Sequence, residues 1–221
     1  MLARLATLLA LCGLATACGD GNPLASFETR CAKLPPTHFE VVAVPVTVER
    51  DDSQSIAALT AKSGSPLATQ RTLGLTSAVF GQSTDIQLNV LDDRRGSRAC
   101  STPRVRVELS MQPVTVFVAS ELPAQSCQHE VTLSHEMKHV EVFREALELA
   151  ARELERDFPA AIGVELRQAR NPSELQQRFV MLVRNYLAEF MRDRQRMLDE
   201  AQAAVDSPEE YARVSTACLS S

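Results

Sequence analysis

Leu133-Ser134-His135-Glu136-Met137-Lys138-His139-Val140 lies in a run whose apolar residues, Leu133, Met137, Val140, Leu147, Ala151, Leu154 and Phe158, recur at steps of three, four and seven. That is the repeat of one buried face of an α-helix. Ser126 is placed to cap its N-terminus, Glu130 adds negative charge to the first turn, where the helix dipole favours it, and Pro159 is expected to stop it. Residues four apart on such a helix share a face, one turn above each other. His135 and His139 can therefore aim ring nitrogens at one point, with Glu136 set about 100° round the axis beside them.

Toward the C-terminus a second helix is expected from Asn171-Pro172-Ser173, with Ser173 as a possible cap. It carries Leu175, Phe179, Leu182, Tyr186, Phe190, Met197 and Ala201 on one stripe and ends at Asp206-Ser207-Pro208. Toward the N-terminus the periodicity changes. Phe39 to Val48 is rich in β-branched residues and reads as a strand whose Pro45 suits an edge or a bulge. Ile56-Ala57-Ala58-Leu59 could form a short helix, broken by Ser63-Gly64-Ser65-Pro66. Ile86 to Val90 and Arg104 to Leu109 alternate with period two, whereas Val114 to Ala119 is nearly all apolar and so more deeply buried. The expectation is a single α+β domain, a mainly antiparallel sheet followed by two long helices.

Met1-Leu2-Ala3-Arg4 and the apolar run to Ala17 have the layout of an export signal, too short to remain as a membrane span. Leu14-Ala15-Thr16-Ala17-Cys18 resembles the bacterial lipoprotein signal, in which the cysteine is acylated; Ala15-Thr16-Ala17 also suits ordinary cleavage. The organisation expected is a signal over 1–17, a tether over 18–30 beginning at Cys18, and a folded domain over 31–221. Cys31, Cys100, Cys127 and Cys218 form an even set suited to an oxidising compartment. Four cysteines allow three connectivities, and the spacing favours Cys100 with Cys127, closing a hairpin made of the 105–109 and 114–118 runs. Cys31 would then join Cys218. A net charge of −5 with no long basic cluster argues against a nucleic-acid surface. No second stretch is long enough to cross a membrane, which leaves the N-terminal lipid as the only membrane contact.

His135-Glu136-x-x-His139 on a helix is the zinc-peptidase arrangement. Two neutral imidazoles and a carboxylate bind Zn2+, and Glu136 acts as general base on water at the open position. Metzincins would need glycine at Val142 and histidine at Glu145, so that class is excluded. A gluzincin takes a glutamate from a later helix. Glu189-Phe190-Met191-Arg192-Asp193 has its E-x-x-x-D spacing, which makes Glu189 the expected third ligand, with Asp199 and Asp193 as alternatives; Asp193 could instead orient a ligand histidine. In zincins a strand beside the active helix commonly holds the substrate backbone, and Val114 to Ala119 occupies that place in the order.

The layout resembles a bacterial family of exported HExxH proteins known as domain of unknown function 922, gluzincin-like metallopeptidases. The likeness is sharpest in Leu133 to His139 and in Arg194-Gln195-Arg196-Met197-Leu198-Asp199-Glu200. Gln195 and Asp199 match the family; Leu198 stands where it has tyrosine, and its following Thr and His-Gly have no counterpart here. The resemblance implies a zincin-like fold and hydrolysis of a peptide or an envelope protein. A second reading is a catalytically silent lipoprotein that keeps the fold as an interaction or assembly module. His129, six positions before His135, points away from the metal and reads as a surface or capping residue. His38 has no assigned role. Tyr186 reads as core, and Tyr211, Arg184 and Arg192 are candidate helpers for an oxyanion.

Overall fold

Residues 25–64 and 71–219 are described by the computed structural model, so the signal over 1–17 and Cys18 lie outside the described residues. In chain order the elements are α1 (Phe27–Cys31), β1 (His38–Ala43), β2 (Val48–Asp51), α2 (Ile56–Lys62), β3 (Gly74–Ser77) and β4 (Phe80–Asp93). They are followed by β5 (Arg98–Met111), β6 (Val114–Val118), α3 (Cys127–Ile162), β7 (Arg167–Ala169), α4 (Pro172–Val205) and α5 (Pro208–Thr216). The fold is α+β, with the two long helices after the main strands.

β5 organises the larger sheet. Val105, Val107, Leu109 and Met111 are buried, whereas Arg104 and Arg106, on either side of Val105, are exposed, the alternation of a strand with one face on a core. It pairs antiparallel with β4 and β7 and parallel with β1. The smaller sheet has the order β2-β6-β3, with β2 parallel and β3 antiparallel to β6. The single strand expected over Phe39 to Val48 is thus two, broken around Pro45, and they enter different sheets. One core joins these layers, in which Val105, Val107, Leu109, Val114 and Val116 meet Val140, Leu147, Leu154 and Phe158 of α3 and Phe179, Val183 and Leu187 of α4.

Both long helices depart from the periodicity reading in detail. Ser126 caps α3 as expected, its side chain accepting from the His129 N–H. Pro159, however, does not stop the helix, which runs on to Ile162. A proline this near the end removes one bond, to the carbonyl of exposed Glu155, and burial of Phe158 and Ile162 offsets that loss. Gly163 ends it at φ 84°, a conformation that glycine adopts without a Cβ penalty. In α4 the cap is Asn171 rather than Ser173, with proline at the first turn. The buried line passes through Val183, Leu187 and Leu198, leaving Leu182 and Met197 exposed. Both stripes have helical spacing, and contact with α3 on one side and the sheet on the other selects between them.

The disulfides are Cys31–Cys100 and Cys127–Cys218, not the pairing that spacing favours. The expected hairpin does not exist, because β5 pairs with β1, β4 and β7 while β6 pairs with β2 and β3. The chain leaves one sheet for the other through Gln112-Pro113, a cis peptide. Cys100 accordingly lies against α1, whose Phe27 is buried with Cys31, so the folded body includes residues 27–30 of the expected tether. Two disulfides fit an oxidising compartment. Among the described residues no helix is long and apolar enough to cross a membrane.

Candidate metal centre

α3 carries His135 and His139 one turn apart with ring centroids 5.1 Å from each other, as their spacing requires. The carboxylate brought to both is Asp206, at the C-cap of α4. Its Oδ1 lies 3.1 Å from His135 Nε2 and 3.4 Å from His139 Nε2. One ligand atom from each of these three residues falls within 4.8 Å of the others, a group able to hold a metal ion. Glu189, Asp193 and Asp199 are exposed on α4 and do not enter it. The departure has a simple cause. At position 206 the helix has ended, and the backbone swings the side chain toward α3 from the junction with α5 rather than from α4 itself.

The hydrogen bonds behind the rings decide which atoms face inward. Glu210 of α5 lies 3.2 Å from His135 Nδ1 and accepts from Lys138 Nζ at 2.6 Å. Hydrogen bonds from Arg213, Lys138 and His135 hold its carboxyl well below the usual carboxylate range, so it is ionised and can only accept. His135 Nδ1 is then the donor. Gln202 Nε2 donates to the His139 carbonyl at 3.2 Å, which fixes the amide so that its Oε1 faces His139 Nδ1 at 2.5 Å. His139 Nδ1 is also a donor. In the neutral rings both Nε2 atoms therefore present lone pairs to Asp206 Oδ1, three acceptors around one point with no donor among them. A cation satisfies that arrangement, and neutral imidazole with carboxylate is a donor set that zinc accepts.

Glu136 is 4% exposed and lies beside the triad. The Thr76 hydroxyl, on β3, is 2.8 Å from its Oε2. Gly74 of the same strand passes so close that a methyl group there would stand 2.6 Å from Glu136 Oε1 and 2.6 Å from Thr132 Cγ2. Gly74→Ala is expected to destabilise the protein by about 1–3 kcal/mol through overpacking, measurable by urea denaturation.

Burial pushes the Glu136 carboxyl from its ordinary 4.5 up to about 7; Thr76 and His139 oppose the rise and Asp206 adds to it. A carboxyl whose folded value stands above its unfolded value stabilises the fold fully below about 4.5, and that contribution is lost as pH rises through about 7. Relative to Glu136→Gln, the metal-free protein should lose on the order of 3 kcal/mol between pH 4.5 and pH 8. Denaturation of both proteins across that range tests it, and parallel curves would contradict it.

These groups open into a cleft of about 620 Å³ whose lining includes Leu73, Gly74, Leu75, Phe143, Tyr211 and Val214. The strand at the cleft is β3, not the expected Val114 to Ala119. β6 is the central strand of its sheet, with both edges paired, whereas β3 pairs on one side only among the described residues. Tyr211 of α5 has its ring 6.1 Å from His135 and hydrogen-bonds Asp206; burial and that carboxylate raise its pKa. Tyr186 packs between Phe158 and Phe190, as a core residue. His129 is buried, not on the surface, between Arg50, Asp52 and Glu130, and His38, Arg184 and Arg192 are exposed outside the cleft. Asp206, Gln202 and Glu210 were missed by periodicity. Ser207-Pro208-Glu209-Glu210, a cap followed by proline and an acid three residues on, was the signal for a third helix there.

No protein-family model, no curated protein and no solved structure matches this chain.

Proposed function

We propose that this protein is an exported zinc metallopeptidase, anchored through a lipid on Cys18, with His135, His139 and Asp206 as metal ligands and Glu136 as general base. The observation that carries this reading is the meeting of three lone-pair donors at one point with a buried carboxyl beside it in an open cleft. Zinc bound there would supply a Lewis acid that polarises the scissile carbonyl and acidifies water.

This chain's own residues would do the rest. The edge of β3 that is unpaired among the described residues would offer backbone N–H and C=O groups to an extended peptide. Glu136, with its proton affinity raised by burial, takes a proton from the attacking water and returns it to the departing amine. Tyr211, a neutral donor at the rim, would turn its hydroxyl from Asp206 to the developing oxyanion. The substrate is a peptide or a protein of the cell envelope. In this scheme the chain stands beside the gluzincin-like family its motif resembles, with Asp206 in place of a helical glutamate.

The test is zinc content together with cleavage of a peptide library by purified protein. One zinc per chain and chelator-sensitive cleavage are expected. Zinc bound without cleavage of any peptide would favour the silent interaction module instead, and no zinc in metal-rich buffer would remove the peptidase.

A further inference from the structure

We propose that the Cys127–Cys218 disulfide is a redox gate on the metal-binding triad: intact, it holds α5 so that Glu210 and Asp206 stay on His135, and its reduction lets them go. The inference rests on the metal reading above and adds a control to it.

α5 has no buried residue, so apolar packing contributes little to holding it. Its attachments are polar or covalent. Glu210 reaches His135 and Lys138, Tyr211 lies against the His135 ring, and Cys218 closes onto Cys127, the first residue of α3. The disulfide therefore joins the far end of α5 to the helix that bears both histidines. Asp206 sits at the junction of α4 and α5, outside helical geometry at φ −85° and ψ 37°, so its aim depends on where α5 is held.

The two disulfides differ in the property that matters for reduction. Cys31 and Cys100 are 1% and 0% exposed, sealed in their own apolar cluster. Cys127 is exposed and Cys218 half-buried at the cleft. Thiol–disulfide exchange needs access to a sulfur, which only the second pair gives. A dithiol would transfer two electrons and two protons, leaving two thiols on this chain and becoming a disulfide itself. In a reducing compartment the site is then a poor cation binder, and after export exchange with a disulfide oxidant, which takes up the two electrons and two protons and leaves as a dithiol, completes it.

The experiment measures zinc affinity of the oxidised protein, by competition with a chromophoric chelator, before and after limited treatment with a dithiol. Alkylation and mass spectrometry identify the opened disulfide, and circular dichroism follows helix content; Cys218→Ser provides the same state without reductant. Cys127 and Cys218 should open first, zinc affinity should fall by more than the roughly 10- to 100-fold of losing an outer partner alone, since Asp206 is released together with Glu210, and the helical signal should persist. Zinc should in turn shift the equilibrium of this pair toward the disulfide, because the coupling is reciprocal. Unchanged affinity after this disulfide opens would overturn the gate alone, as would collapse of the whole helical signal, since the disulfide would then hold the fold and not the site. A protein that binds no zinc in either state overturns the metal reading, and the gate with it.

Discussion

Glu136→Gln should lower peptide hydrolysis by about 10²- to 10⁴-fold while zinc content stays at one per chain. The two readouts separate because Glu136 is not among the three residues that converge on the metal point. Glutamine has the same shape and keeps an acceptor for the Thr76 hydroxyl, so the packing of β3 on α3 survives. It cannot take a proton. Burial raises the proton affinity of the carboxyl in the metal-free protein, and the same burial makes its loss hard for solvent to replace. Steady-state kinetics on a fluorogenic peptide and metal analysis of the same preparation decide it. A variant with full zinc and an unchanged rate would exclude Glu136 from the chemistry.

Loss of Asp206 should act on the opposite readout. Asp206→Ala removes the one carboxylate oxygen that both Nε2 atoms face, at 3.1 and 3.4 Å, and zinc affinity should fall by more than the roughly 10- to 100-fold typical of losing an outer partner. Glu189→Gln, by contrast, should bind zinc like the parent protein, because Glu189 points to solvent from α4. Activity would disappear in the first and persist in the second. The reverse pattern, with Glu189 needed and Asp206 dispensable, would return the third ligand to the position that its E-x-x-x-D spacing suggests. Gln202 and Glu210 occupy the layer behind; Gln202→Ala should weaken zinc by less than Asp206→Ala, in the 10- to 100-fold range, because it orients His139 without touching the metal point.

Local periodicity determined the helix over His135 and His139, its Ser126 cap, the alternating strand through Val105 to Leu109, and the α+β class. These follow from near neighbours: a 3.6-residue repeat places two histidines four apart on one face whatever surrounds them. The set of four paired cysteines was legible for a similar reason, since composition alone implies the compartment. Which cysteines pair was not legible, because it depends on β5 and β6 entering different sheets. Nor was the role of Asp206, Gln202 and Glu210. They lie 63 to 75 residues beyond their histidine partners, and although Ser207-Pro208-Glu209-Glu210 marks a helix start, nothing local says that these side chains face α3. Only the packing of α4 and α5 back onto α3 selected them. The pair of ring nitrogens belongs to one helix, whereas the carboxylate brought to them belongs to the way that three helices meet.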